Sequence, residues 1–170
     1  KVLKDIKMVS EHEEELLKEY NNTELPLPQG KTYIDLFEEQ VYRNPQDTAL
    51  IFKDRVLTYE ELNQKSNQVA VLLREKGLCQ RKSIVGIMVE RSIEMIIAIL
   101  GILKAGGAYL PIDPAFPPER INFIIKDNEV EILLSHGNLA DKLEFKGEIV
   151  RLDNEQSFEK SDIALNIVYK

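Results

Sequence analysis

The sequence predicts an α/β fold, a layered and mainly parallel β-sheet flanked by helices. Strand patterns and helix patterns alternate along the chain after Thr32. The stretch SIVGIMV is almost wholly apolar and rich in β-branched residues, as expected of a parallel strand covered on both faces. The segment 92–104 is apolar on most sides of a helix, which indicates a helix buried between layers.

The first 30 residues differ in composition from the rest of the chain. Residues 13–15 are three consecutive glutamates, which predict the solvated face of a helix. Pro26 and Pro28 then favour an extended path. We therefore predict an interdomain linker at residues 1–30 and a domain portion at residues 31–170.

The first part of that domain portion carries clear helix and strand signals. Thr32 is a predicted helix N-cap, and Pro45 ends this helix. The stretches TALIFK and VLT predict two strands joined by a turn at KDR. In LTYEEL, Thr58 and Glu61 have the spacing of a capping box, and the helix that follows ends at Gly77. The predicted core face of this helix comprises Leu62, Val69 and Leu73.

The second part continues the alternation of helices and strands. Ser92 is the predicted cap of the apolar helix, and Lys104 is expected to complement the dipole at its C-terminus. AYLPI is a predicted strand, and Pro117 and Pro118 suit the start of a further helix. VEILLS predicts a strand, NLADKL a short helix capped by Asn138, and EIVRLD and DIALNIVYK two more strands.

Composition excludes several classes of protein. The chain has 170 residues, 44% hydrophobic and 30% charged, which is typical of a globular domain with a real core. A net charge of −7 argues against a nucleic-acid partner, which needs a basic face. Cys79 is the sole cysteine, and the sequence contains neither a membrane-length apolar run nor a signal peptide. We expect a part of a longer cytoplasmic protein.

The glycines around residue 106 invite comparison with a phosphate loop. Gly101 and Gly106 have the separation of a Walker motif, but Gly107 and Ala108 stand where Lys and Ser or Thr are required. The dinucleotide pattern G-x-G-x-x-G is also absent from the sequence. The favoured interpretation is that Gly106 or Gly107 is the left-handed residue that ends a helix.

The remaining candidate residues form no catalytic constellation in the sequence. His12 and His136 lack metal-ligand spacing. Cys79 lies beside two basic residues but is interpreted as a structural or exposed thiol. Asp113 is a candidate functional carboxylate, although a turn residue bonded to its own backbone is favoured. We therefore assign no catalytic, cofactor-binding or metal-binding residue to this chain.

Two motifs resemble those of a known family. LTYEEL at residues 57–62 and LKAGGAYLPID at residues 103–113 resemble the first and second core motifs of nonribosomal peptide synthetase adenylation domains. The second is followed by P-x-x-P-x-E-R, and the likeness is strong over residues 32–135. LLKEYNNTELPLP resembles the linker from an upstream condensation domain. The resemblance implies the incomplete N-terminal part of the large adenylation subdomain.

The resemblance also implies a function. Such multidomain ligases activate an amino acid with ATP and magnesium as an aminoacyl adenylate, which is loaded onto the phosphopantetheine of a carrier domain, as in antibiotic biosynthesis. The implied partners are the remainder of the adenylation domain, the condensation domain and the carrier domain, with no nucleic acid or membrane.

The implied position of the phosphate-gripping loop falls at the end of the chain. In the family this loop follows a strand ending in I-Y-T-S-G, whereas here NIVYK reaches Tyr169 and departs from the pattern at Lys170. We therefore expect the chain to supply scaffold only and to be inactive alone. Two alternatives stay open: a non-catalytic subunit or docking module that completes a partner chain, and an acyl- or aryl-acid ligase of the same superfamily. The linker and the sequence LPIDP count against an acyl- or aryl-acid ligase.

Overall fold

The computed structural model describes residues 9–26, 28–77, 83–141 and 143–153. The chain divides into two compact units, Lys1–Lys31 and Thr32–Lys170. Two predicted features, Cys79 and the last strand at residues 162–170, lie outside the described residues.

The first unit contains one helix, α1 (Glu11–Tyr20), among its described residues. Ser10 caps it, and the Ser10 backbone N–H donates to the Glu13 carboxylate at 2.8 Å to complete a capping box. This backbone hydrogen bond lowers the pKa of Glu13 below its ordinary value. No residue of α1 is buried, so the predicted acidic, solvated helix is confirmed.

The described residues of the second unit are organised around a parallel sheet of four strands. Its strands are β3 (Ile84–Met88), β4 (Ala108–Pro111), β5 (Ile132–Ser135) and β6 (Glu148–Arg151). They lie in the order β4-β3-β5-β6, and every neighbouring pair is parallel. The predicted mainly parallel sheet is therefore confirmed.

A β-hairpin precedes this sheet and is hydrogen-bonded separately from it. Strands β1 (Thr48–Phe52) and β2 (Arg55–Thr58) are antiparallel and form a two-stranded sheet. Lys53, in the turn between them, has a positive φ of 54°. A tight turn can join only antiparallel strands, which explains why the KDR segment reverses the chain here.

In the described part of the second unit, four helices surround the sheet and begin where the sequence predicts. They are α2 (Tyr33–Arg43), α3 (Tyr59–Glu75), α4 (Ile93–Ala105) and α5 (Pro118–Asp127). The side chains of Thr32, Thr58 and Ser92 each accept a hydrogen bond from a backbone N–H in the first turn of the helix that follows. Pro117 immediately precedes α5 and supplies no side-chain cap.

Each face of the parallel sheet has its own apolar cluster, because successive strand residues point to opposite sides. On one face Val85, Ile87 and Leu134 pack with residues of α2, α3, α4 and the hairpin. On the other face Met88 and Leu133 pack with α5. The predicted buried helix is α4, in which Leu100 is 3% exposed.

One sequence prediction is wrong. NLADKL is not a helix in its described part, because residues 138–141 form turns with i to i+3 hydrogen bonds such as Asp141 N–H to the Asn138 carbonyl. So short a segment gains too few hydrogen bonds to offset helix nucleation. Lys104 lies in the last turn of α4, as the sequence predicts, but its side chain is fully buried, which the sequence did not indicate.

Candidate functional site at the carboxyl edge of the sheet

The order of the strands creates a switch point at the carboxyl edge of the sheet. β3 lies between β4 and β5, so the chain leaves β3 toward one side of the sheet and later returns on the other. In open α/β sheets, ligands bind at the carboxyl ends of the strands beside such a switch point. Among the clefts lined by described residues, a pair at this edge shares Glu90, Arg91 and Leu139.

The first, which we call the β4 cleft, has a volume of about 630 Å³. Its walls are mostly apolar and include Ile87, Met95, Tyr109 and Phe116. Asp113 also lines it, with Oδ1 accepting a hydrogen bond from the backbone N–H of Ala115 at 2.9 Å. This is the turn interaction that the sequence favoured for Asp113, and it engages one carboxylate oxygen.

The second, the switch-point cleft, has a volume of about 600 Å³ and a charged lining. It lies between the hairpin turn, the start of α4 and the loop after β5. Its polar and charged residues, with one glycine among them, are Lys53, Asp54, Arg55, Glu90, Arg91, Ser92, Glu94, His136, Gly137 and Asn138.

One ion pair joins the hairpin to α4 in this cleft. Nη1 of Arg55 lies 2.7 Å from Oε1 of Glu94, whose side chain is 18% exposed. Burial raises the pKa of Glu94, but the hydrogen bonds from Arg55, from the backbone and from Ser92, together with the charge of Arg55, outweigh it, so the net pKa lies below its ordinary value. Glu94 is therefore held as a carboxylate, and its charge is paired with that of Arg55.

The loop after β5 is fixed by backbone hydrogen bonds to charged side chains. Gly137, at φ 53°, donates its N–H to Oδ1 of Asp153 at 3.1 Å, and this bond lowers the pKa of Asp153. Arg151 donates to the Gly137 carbonyl and to Oδ1 of Asp141, the latter at 2.5 Å. These contacts set the position of the adjoining His136 at the edge of the cleft.

The glycines at positions 101, 106 and 107 do not form a phosphate-binding loop. Gly101 is buried within α4, and Gly106, at φ 87°, ends that helix as the sequence predicted. The Gly107 N–H donates to the Ile102 carbonyl, closing the helix terminus. Over the described ranges, no group of three or more His, Cys, Asp or Glu is placed to hold a metal ion. We therefore derive no chemical step at phosphate from these residues.

The structure brings only some of the sequence-predicted candidate residues to the carboxyl edge of the sheet. Asp113 and His136 both reach the carboxyl edge but line different clefts, whereas His12 belongs to the first unit. Sequence reasoning did not select Glu90 and Arg91, which line both clefts. Their place directly after the strand SIVGIMV was the signal that could have found them. In the part of the chain that the structure describes, no helix is long and apolar enough to cross a membrane.

A parallel sheet with helices on both faces and clefts at its carboxyl edge places this chain among the α/β proteins. The chain belongs to the AMP-binding enzyme family, whose family model matches residues 37–166. Its membership confirms the adenylate-forming superfamily that the core motifs indicated.

Individual relatives narrow the comparison to peptide synthetases. Bacitracin synthase 2 of Bacillus licheniformis is 48% identical over 160 residues, which make up 94% of this chain and 6% of that protein. The crystal structure of the nonribosomal peptide synthetase FmoA3 bound to α-methyl-L-serine-AMP has a TM-score of 0.73 and 32% identity, covering 92% of this chain and 17% of that one. A four-domain synthetase, holo-AB3403 bound to AMP and glycine, gives a TM-score of 0.67 at 32% identity, over 74% of this chain and 9% of that one.

These similarities confirm the resemblance that the two core motifs carried. They also show how small a share of its relatives the chain spans, since it matches only 6% of bacitracin synthase 2.

Proposed function

We propose that the chain is the N-terminal part of an adenylation domain in a nonribosomal peptide synthetase module. In that reaction an amino-acid carboxylate attacks the α-phosphate of ATP, forming an aminoacyl adenylate and releasing pyrophosphate. The aminoacyl group then passes to the phosphopantetheine thiol of a carrier domain, and AMP leaves. Magnesium would neutralise phosphate charge in the whole domain.

The similarity to a peptide synthase along nearly the whole chain is the observation that carries this proposal. The second core motif supports a scaffold role, because residues 103–113 form the end of α4, its glycine terminus, β4 and the turn at Asp113. Within this proposal the motif shapes the subdomain, and no residue of the chain is assigned to catalysis or to binding of ATP.

The same proposal specifies boundaries and neighbours. Residues 1–30 would be the linker from an upstream condensation domain, and residues 31–170 the first portion of the adenylation domain. The partners would be the remainder of that domain, the condensation domain and a downstream carrier domain, all in the cytoplasm. Neither a nucleic acid nor a membrane is part of the proposed function.

Amino-acid-dependent exchange of labelled pyrophosphate into ATP tests the proposal on the native polypeptide that carries this sequence. A panel of amino acids, fatty acids and aryl acids is supplied separately. Exchange with one or a few amino acids is the expected result. Exchange only with fatty or aryl acids would instead identify a ligase of another substrate class, and no exchange with any acid would support a non-catalytic subunit.

Residues 1–170 expressed alone serve as the control for the scaffold role. We expect no exchange above a blank, because Gly106 and Gly107 end α4 and do not form a phosphate-binding loop. Turnover by this segment would contradict the scaffold role while leaving the adenylation chemistry intact.

A further inference from the structure

Lys104 is a charged residue of the second core motif to which the proposed function gives no task. Its side chain is fully buried at the C-terminal end of α4, among a cluster that is otherwise apolar. Burying an ammonium group is costly unless acceptors surround it. A lysine in this position therefore requires a structural reason.

Helix α3 supplies the acceptors for the ammonium group. Nζ of Lys104 donates to Oδ1 of Asn67 at 2.6 Å, to Oδ1 of Asn63 at 2.5 Å, and to the Asn63 carbonyl at 3.4 Å. Asn63 and Asn67 are separated by four residues, so they lie on the same face of α3. Three oxygen atoms thus meet the three N–H donors of the lysine.

Helix α2 approaches the same ammonium group from another direction. Nζ lies 5.2 Å from the centre of the Phe37 ring, within the range of a cation–π contact. Glu38, the next residue of α2, acts electrostatically on Lys104 and favours its charged form. The ammonium group, which belongs to α4, therefore contacts residues of both α3 and α2.

The backbone of Lys104 is held as well as its side chain. Nη2 of Arg74, at the end of α3, donates to the Lys104 carbonyl at 2.8 Å. This carbonyl belongs to the last turn of α4, where an intrahelical partner is missing. Lys104 is thus hydrogen-bonded to α3 through both its side-chain ammonium group and its backbone carbonyl.

From these contacts we propose that Lys104 is a buried cationic lock that holds α2 against the α3–α4 pair. α2 is the first helix of the second unit and begins two residues after the boundary at Lys31 and Thr32. The lock thereby fixes the point at which the chain enters the fold. α3 holds Lys104 through hydrogen bonds with Asn63, Asn67 and Arg74, whereas α2 meets the ammonium group through the Phe37 ring and the charge of Glu38.

Hydrogen exchange of the native polypeptide, followed by mass spectrometry, tests the lock. In Lys104→Met, which keeps the side-chain length and removes the charge, amides of residues 33–43 should exchange roughly ten-fold faster or more. Exchange in α5 should stay at the parent rate. Lys126→Met is the matched control, because Lys126 is also in the last turn of a helix but is exposed, and it should change neither segment.

A double-mutant cycle separates the lock from ordinary loss of packing. Lys104→Met, Asn67→Leu and the double variant are compared by urea denaturation and by exchange in α2. If Lys104 and Asn67 act together, Asn67→Leu should raise α2 exchange in the parent but have less than about a third of that effect after Lys104→Met. If Lys104→Met does not fold, hydrogen exchange of the α2 amides in Asn67→Leu alone still tests the proposal. Unchanged α2 exchange in both single variants, an equal rise in all helices, or strict additivity would each overturn the proposal.

Discussion

A Cβ atom added to Gly101 would lie 2.5 Å from Cγ1 of Val69 and 2.6 Å from its Cβ. The first contact could be relieved by a rotamer change, but the second is fixed by the backbone of α3. Gly101 is therefore the position at which α4 approaches α3 too closely for any side chain.

Gly101→Ala is expected to destabilise the fold by about 1–3 kcal/mol, because the two helices must separate. Without the contact, alanine would stabilise a helix by about 1 kcal/mol relative to glycine, so the sign of the effect is diagnostic. Urea denaturation of the native polypeptide measures it. Lys126→Ala introduces alanine at an exposed helical site and should change the free energy of unfolding by less than about 0.5 kcal/mol. A Gly101→Ala protein as stable as its parent would contradict the close approach.

The sequence predicts those features of this fold that depend on local chemistry. Thr58 with Glu61, Ser92, and Gly106 each signal a helix end through nearby backbone groups, and each is found there. The alternation of apolar strands and helices similarly predicts the parallel sheet. These predictions hold because the groups that interact lie within a few residues of one another in the sequence.

Features that depend on distant contacts were not predictable in the same way. In the sequence, Lys104 looks like an ordinary lysine at a helix C-terminus. Its burial is explained by contacts with Asn63, Asn67 and Phe37, which belong to other helices. The switch-point cleft likewise joins residues from the hairpin, α4 and the loop after β5. No short window of sequence contains such a set.

Stability should depend on pH through Lys104. Burial lowers its pKa from 10.5 to about 8 in the folded state, although the charge of Glu38 acts in the opposite direction. Arg74 contacts the backbone carbonyl and adds a second charged group from α3. Between pH 8 and 10.5 the unfolded state binds more protons, so the free energy of unfolding rises with pH in this window.

This gain of about 3 kcal/mol is complete above the unfolded pKa and is lost as the pH falls from 10.5 to about 8, because the contacts with Phe37 and Glu38 offset only part of the cost of burying the charge. In the proposed lock, the charge therefore holds α2 locally while it lowers the stability of the fold as a whole. Other lysines and tyrosines titrate nearby, so the useful quantity is the difference between the parent and Lys104→Met. Urea denaturation at intervals from pH 7 to 10.5 should show that the parent gains stability relative to the variant. Parallel pH profiles would show that Lys104 titrates normally.

Loss of the capping box at Thr58 should destabilise α3. Oγ1 of Thr58 accepts the Glu61 N–H at 3.2 Å, and the Glu61 carboxylate accepts the Thr58 N–H at 2.9 Å. Thr58→Ala removes the first bond and is expected to cost about 1 kcal/mol in thermal or urea denaturation. Thr58→Ser retains a hydroxyl and should recover most of this loss. If both variants lose the same amount, the methyl group rather than the cap is responsible.

Ser135 and Ser66 are both fully buried, but their hydroxyl groups differ. Ser66 donates to the Asn63 carbonyl at 2.9 Å, as serines within helices often do. Within the described part of the chain, Oγ of Ser135 has no hydrogen-bond partner. A buried hydroxyl without a partner costs about 1–3 kcal/mol, whereas a satisfied one stabilises by about 1 kcal/mol.

The two alanine substitutions should therefore have opposite effects on the free energy of unfolding. Ser66→Ala is expected to lose about 1 kcal/mol, and Ser135→Ala to be neutral or to gain up to about 1 kcal/mol. The volume removed is identical, so the loss of packing largely cancels between them. Urea denaturation of both variants in parallel provides the comparison. A loss in Ser135→Ala equal to that in Ser66→Ala would mean that the Ser135 hydroxyl is hydrogen-bonded in the native protein.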